Sequence, residues 1–405
     1  MEKEEEEEGG SALAAQIDSG PVVQYVNFLL KKVVIEKASD LHIEPFEKDV
    51  RVRMRVDGVL HNFQPPPWRL QKAVVSRLKV MSNLKIQEKR RPQDGRFQAE
   101  LMGRKIDFRI ATVPTVFGEK VGIRILDKES MEFDLAKLGF EKKALEDTLK
   151  AIKKPHGIIL LTGPTGSGKT TTLYSILKEI NNIDINVSTA EDPVEYTLFG
   201  VNQLQVREEI GLTFVEALKS FLRQDPDVIM VGEIRDKPTT DIAIRSSLTG
   251  HLVLSTVHTN SAAATITRLL NMGVAPFLLA STLELIISQR LVRTICTKCK
   301  TPLEVSKEDI LKQGFDPARL DGRKIFHGIG CDSCKKTGYK GRVGLFEVLP
   351  MSSVIRKMII EGKTSDDIEA QARKEGMSSL RDEGIKKILD GVTTIDEVGR
   401  ETQVR

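Results

Sequence analysis

Aromatic residues supply only 5% of this 405-residue chain, and there is a single tryptophan. No motif that reads DNA or RNA accompanies them, which argues against a nucleic-acid-binding module. A net charge of only +4 at pH 7 removes any bulk electrostatic pull toward nucleic acid or anionic lipid. No apolar run reaches the length that spans a bilayer, and the first residues carry no signal-peptide pattern. Cysteine is scarce too, with four residues, all between Cys296 and Cys334. Clustering of that kind points to a metal before disulfides. The remaining composition is ordinary for a folded protein, 40% hydrophobic and 29% charged, and the length allows two or three domains.

The richest stretch is Gly163-Pro164-Thr165-Gly166-Ser167-Gly168-Lys169-Thr170, which fits G-x-x-x-x-G-K-[ST]. Its flanks fit as well. Gly157–Thr162 is an apolar run of buried-strand length, and from Thr171 onward Leu173, Ile176, Leu177 and Ile180 recur at helical spacing. A strand, a glycine loop and a helix start, in that order, aim backbone N–H groups at phosphate. Gly163, Gly166 and Gly168 permit the tight path, Lys169 reaches the β- and γ-phosphates, and Thr170 is placed to ligate Mg²⁺. The expectation is a nucleoside triphosphate site spanning Gly163 to Thr171.

Upstream, Met1–Gly10 is an acidic leader. Pro21 then opens a helix with Val22, Val26, Leu29, Leu30, Val33 and Val34 along one face. Val50–Val56 alternates strictly, so Arg51, Arg53 and Arg55 share one sheet face, read as a solvated one. Asp57-Gly58 is a hairpin turn and Val59–Phe63 the return strand. A helix with Leu70, Val74, Leu78 and Met81 follows. Gln93–Arg96, Lys105–Ile110 and Lys120–Ile125 complete an antiparallel sheet, with Arg109 and Arg124 opposite its apolar side.

From about Leu138 strand-length apolar runs alternate with helices, at Ile158–Leu161, Ile185–Ala190, Val228–Val231 and Leu252–Val257. That alternation predicts a mostly parallel sheet, whose ligands gather at the carboxyl ends of its strands. Those ends carry Glu191-Asp192, Gly232-Glu233 and His258. ATP hydrolysis needs Mg²⁺, a group that orients water, and a cation at the γ-phosphate. Thr170 is expected to ligate the metal directly. Glu233 is expected to reach it through water, although Gly232 stands where generic phosphate-loop enzymes carry aspartate. Glu191 is expected to polarise the water, with Asp192 or Glu195 as alternates, and His258 to sense the γ-phosphate. His251 reads equally well as a packed or capping histidine. At the loop itself no cation but Lys169 is evident. Such enzymes commonly take an arginine from another domain or subunit, and Arg96, Arg109 and Arg124 are expected to provide it, which requires an oligomer. Cys296-x-x-Cys299 and Cys331-x-x-Cys334 have the spacing of a tetrahedral four-cysteine zinc site.

Taken together, Gly163–Thr170, Thr189–Tyr196, Arg223–Asp236 and Gly250–Ala262 resemble the Walker A, aspartate-box, Walker B and histidine-box stretches of the secretion ATPase superfamily. Ala38–Pro45, Arg91–Arg96 and Gly376–Gly384 extend the resemblance over nearly the whole chain. Within it the chain looks like the type IV pilus assembly and type II secretion system ATPases, in which Gly232 is usual. The cysteine insertion favours assembly or secretion over pilus retraction.

The resemblance implies an α/β fold: a RecA-like P-loop ATPase domain with a mostly parallel sheet, preceded by a smaller α+β antiparallel-sheet (PAS-like) domain and carrying a zinc-binding insertion. The expected divisions are a leader at 1–20, the α+β domain at 21–130, a linker at 131–136, the ATPase core at 137–290, the tetracysteine module at 291–345 and a C-terminal helical region at 346–405. The implied activity is that of a cytoplasmic, Mg²⁺-dependent homohexameric motor that hydrolyses ATP. It would sit at the inner-membrane face on a platform protein, associate with the membrane through partners, and drive assembly of pilus or pseudopilus subunits without nucleic acid. Family members carry a further N-terminal domain, and little precedes residue 20 here. The alternative is a nucleic-acid translocase using the cysteine knuckles and the basic Lys85–Arg91 stretch.

Overall fold

The structure is a computed structural model and describes residues 20–127, 133–320 and 324–403. The acidic leader, apart from Gly20, and linker residues 131–132 lie outside the described residues. The chain divides into two compact units, Met1–Glu132 and Phe133–Arg405.

In the first unit the helix Gly20–Ile35 buries Val22, Val26, Leu29, Leu30, Val33 and Val34, the stripe its spacing predicts. Strands β1 (Asp40–Pro45), β2 (Val50–Val56) and β3 (Val59–Phe63) are followed by the helix Gln71–Met81. Strands β4 (Gln93–Leu101), β5 (Arg104–Thr115) and β6 (Gly118–Asp127) complete the unit. They form one antiparallel sheet in the order β3-β2-β1-β6-β5-β4. Asp57 and Gly58 both take positive φ, the geometry a two-residue hairpin between twisted strands requires. The apolar face, with Leu41, Ile43, Val52, Ile106, Phe108 and Ile123, packs on the two helices. Each such fully buried side chain contributes on the order of 2 kcal/mol. Arg51 and Arg53 are not merely solvated: they pair with Glu44 at 3.0 and 2.8 Å, while Arg55 faces Asp40 at 3.6 Å.

The second unit is built on β7 (Gly157–Thr162), β8 (Val187–Glu191), β9 (Val201–Gln205), β10 (Val228–Val231), β11 (Leu252–Val257) and β12 (Leu283–Ile295). After them come the short pair β13 (Lys300–Leu303) and β14 (Ile325–Gly328), and then β15 (Tyr339–Pro350). The main sheet runs β15-β12-β7-β11-β10-β8-β9, parallel throughout except where β15 pairs antiparallel to β12. Strands β7, β8, β10 and β11 are buried at every residue, as a parallel sheet covered on both faces demands. Alternate residues of β7 serve opposite sides: Ile158 and Leu160 join one apolar cluster, Ile159 and Leu161 the other. Strands β12 and β15 stay in register as far as Arg293 opposite Arg342 and, after a register shift, pair again at Ile295 opposite Tyr339. The segment carrying the cysteines therefore hangs from two strands of the main sheet.

Candidate functional site

Strand β7 ends at Thr162, and the loop Gly163–Gly168 feeds the helix Lys169–Ile180. Gly163, Gly166 and Gly168 have φ of 145°, 81° and 90°, conformations that side chains with a Cβ rarely adopt. A Cβ at Gly163 would lie 2.5 Å from the Gln289 carbonyl oxygen, and one at Gly168 2.8 Å from the Gln289 side-chain nitrogen. The first N–H groups of the helix have no intrahelical acceptor and carry its partial positive charge. Within the loop the Ser167 hydroxyl is buried without a hydrogen-bond partner. Lys169 curls back and donates to the carbonyls of Gly163 (2.7 Å) and Pro164 (3.1 Å), while Thr170 is exposed. Loop glycines, orphan donors, one lysine and one exposed threonine suit a triphosphate with its magnesium.

Two neighbouring strand ends close on this loop. Glu233 follows β10, and Oε1 and Oε2 of its carboxylate are held by Arg235 and by His258 Nε2 (3.3 Å), the latter at the end of β11. Burial lowers the Lys169 pKa below its ordinary value; the Glu233 charge opposes this and the Arg290 charge adds to it. Lys169, Glu233, His258 and Arg290 are therefore one electrostatic group. Arg235 and Arg290 escaped the sequence reading. The first stands only two residues beyond Glu233, but the second is far from every motif.

Glu191 has a different setting. It ends β8 at 3% exposure, with the Tyr174 hydroxyl donating to Oε2 and with Thr189 (2.7 Å) and Gln203 (3.0 Å) donating to Oε1. Burial first, and then the Glu191 charge, raise the Tyr174 hydroxyl pKa well above its usual range. The carboxylate that sequence reasoning assigned to the water is thus sealed and fully engaged. Asp192 is exposed and Glu195 half-buried in the turn that follows. His251 accepts the capping role, its Nδ1 lying 2.8 Å from the Ser246 carbonyl.

In the first unit Arg96, Arg109 and Arg124 face one another directly across β4, β5 and β6, and Asp40 and Arg55 continue the same row. Like charges directly opposite are unfavourable in a sheet. Asp40 offsets part of this at 3.4 Å from Arg124.

Sulfur atoms of Cys296, Cys299, Cys331 and Cys334 lie within 4.8 Å of one another. The Cys296–Cys331, Cys299–Cys334 and Cys331–Cys334 separations are 3.8, 3.8 and 3.7 Å. A tetrahedron with metal–sulfur bonds of about 2.3 Å places its sulfurs about 3.8 Å apart, whereas a disulfide needs about 2.05 Å. Backbone N–H groups of Cys331 and Gly338 point at the Cys334 sulfur at 3.2 and 3.3 Å, as they would at a thiolate. The cluster can hold zinc.

Comparison with known proteins agrees with this geometry. A sequence model for the family described as "Type II/IV secretion system protein" matches residues 15–400. The type IV pilus assembly ATPase PilB of Myxococcus xanthus is 48% identical over 396 residues, covering 97% of this chain and 70% of that protein. Type II secretion system protein E of Xanthomonas campestris pv. campestris is 48% identical over 394 residues, 97% of this chain and 69% of that one. Among solved structures, the pilus retraction motor PilT with bound ADP superposes with a TM-score of 0.57 at 26% identity, covering 88% of this chain and 95% of that one. With its glycine loop, its paired strand-end residues and these relatives, the chain belongs to the type II/IV secretion system protein family.

Proposed function

We propose that this protein is a Mg²⁺-dependent ATP hydrolase that works as a homohexameric motor on the cytoplasmic side of the inner membrane. Through a membrane platform protein it drives assembly of type IV pilus subunits, or of the pseudopilus of type II secretion. The observation that carries this reading is the meeting of Lys169, Glu233 and His258 at the carboxyl edge of a parallel sheet. It occurs in a chain whose relatives are a pilus assembly ATPase and a type II secretion protein.

The triphosphate lies along the loop Gly163–Thr171, its oxygens receiving the helix-start N–H groups and the Lys169 ammonium. A Mg²⁺ ion arriving with the nucleotide would be held by Thr170 and, through water, by Glu233, and would neutralise charge building on the γ-phosphate. His258 reads that phosphate and relays its presence to Glu233. The turn Asp192–Glu195 orients the attacking water, while Glu191 fixes the turn from below. Arg96, Arg109 and Arg124 of a neighbouring subunit supply positive charge to the leaving oxygens. Zinc at the four cysteines is structural.

Complementation tests this sharing of sites. Lys169→Ala and Arg109→Ala chains are each expected to release little phosphate alone. Mixed, they should recover turnover, because an intact loop then meets an intact arginine row. A mixture no more active than its two components would remove the shared site. DNA is expected to leave turnover unchanged; stimulation would favour the nucleic-acid translocase.

A further inference from the structure

Strand β12 runs parallel to β7 and overshoots it. Their pairing ends with Ser288 opposite Thr162, so the next residues of β12 pass beneath the loop that leaves β7. Gln289 accepts a hydrogen bond from Thr172 in the following helix (2.8 Å). Arg290 lies against Gly163, its Nη1 only 3.2 Å from where a Cβ there would stand. That nitrogen donates to the Gln289 carbonyl (3.0 Å), and Nη2 donates to the Asn260 carbonyl (3.0 Å) in the loop that opens with His258. The residue is 9% exposed and, among the described residues, makes no ion pair. The charges of Glu401 and Glu347 act on it without pairing, and a guanidinium sunk among carbonyl oxygens in this way is costly for a residue that only fills space.

We propose that Arg290 is a positioning residue of the phosphate site: a fixed positive charge behind the glycine loop that ties the loop to the Asn260 segment and favours a triphosphate over a diphosphate. It acts through the loop and not by contact. In a partly dry site its field is screened far less than at the surface. Each added negative charge on the nucleotide adds to the attraction, so ATP gains more than ADP. The inference rests on the reading of Gly163–Thr171 as a triphosphate site.

Dissociation constants of fluorescent ATP and ADP analogues, measured on the full chain, test it. Arg290→Gln is expected to weaken the ATP analogue about tenfold and the ADP analogue by a smaller factor. Arg290→Lys, which keeps the charge, should hold both within about threefold of the unsubstituted chain. Equal losses for the two nucleotides in Arg290→Gln, or no loss, would overturn the proposal, as would a lysine variant as weak as the glutamine one. Should Arg290→Gln fail to fold, Arg290→Lys decides alone. A retained ATP-to-ADP preference then supports the proposal, and a preference lost as in Lys169→Ala overturns it. If Lys169→Ala itself binds ATP normally, the triphosphate site is at fault and not Arg290.

Discussion

At the scale of single residues, the sharpest division lies among the carboxylates after β8. Glu191 holds three donors in a buried pocket, so Glu191→Gln swaps a charged acceptor for an amide that must misorient one donor. The expected effect is a stability loss of about 1–3 kcal/mol, read as a lower melting temperature. Asp192→Asn, at an exposed position, should leave stability within about 0.5 kcal/mol, and Glu195→Gln, whose Oε2 is buried, should cost about 1 kcal/mol; at least one of them should abolish turnover while ATP still binds. Full turnover in both would return the water to Glu191. The sequence locates this strand end correctly but not which acid faces inward. That choice depends on Tyr174 and Gln203, which come from other elements. A tyrosine inside the buried stripe of the helix Lys169–Ile180 was the available signal, since a buried hydroxyl needs a partner. Glu44 gives a second residue-scale expectation. Burial pushes its pKa up, but Arg53, Arg51 and Lys120 outweigh this and hold it at about 2, against an ordinary 4.5. A depressed carboxylate adds stability above its unfolded pKa and loses it as pH falls through the folded one. On the order of 3 kcal/mol should therefore fade between about pH 4.5 and 2. Acid unfolding of Glu44→Gln should lack that part of the slope, and an unchanged profile would mean that the arginines do not hold the charge.

At the scale of elements, regular periodicity was legible and overshooting strands were not. The helix Gly20–Ile35 buries the six residues its spacing picks out, and β7, β10 and β11 cover their apolar runs to within a residue. In β12 the apolar run breaks at Ser288, Gln289 and Arg290, so a boundary at 290 looks natural from composition. Yet these three are buried polar residues, Gln289 and Arg290 set against the glycine loop, and the strand continues to Ile295. Polar residues at a site break the pattern that marks the strand. The tetracysteine segment is thus anchored at both ends in the sheet by β12 and β15. Purified protein is expected to carry one zinc per chain, and Cys331→Ser should lose it and melt at a lower temperature. Binding free energies at such sites are on the order of 10 kcal/mol, which makes the effect large. Metal analysis finding no zinc in the unsubstituted chain would contradict the assignment.

At the scale of the whole molecule, each of the two units carries its own cluster of charged residues. One offers a row of arginines across three strands, the other a glycine loop with carboxylate, histidine and lysine at one sheet edge. The net charge of +4 says nothing of either feature, because it does not report where charges are placed. No described helix is long and apolar enough to cross a membrane. We propose that this sheet edge hydrolyses ATP, with Glu233 as the carboxylate on which the chemistry turns. Glu233→Gln keeps the shape of the side chain and removes its charge. The most direct measurement is phosphate release beside ATP binding in that variant: binding kept and release reduced at least about 100-fold is the expected result, and release at the unsubstituted rate would contradict it.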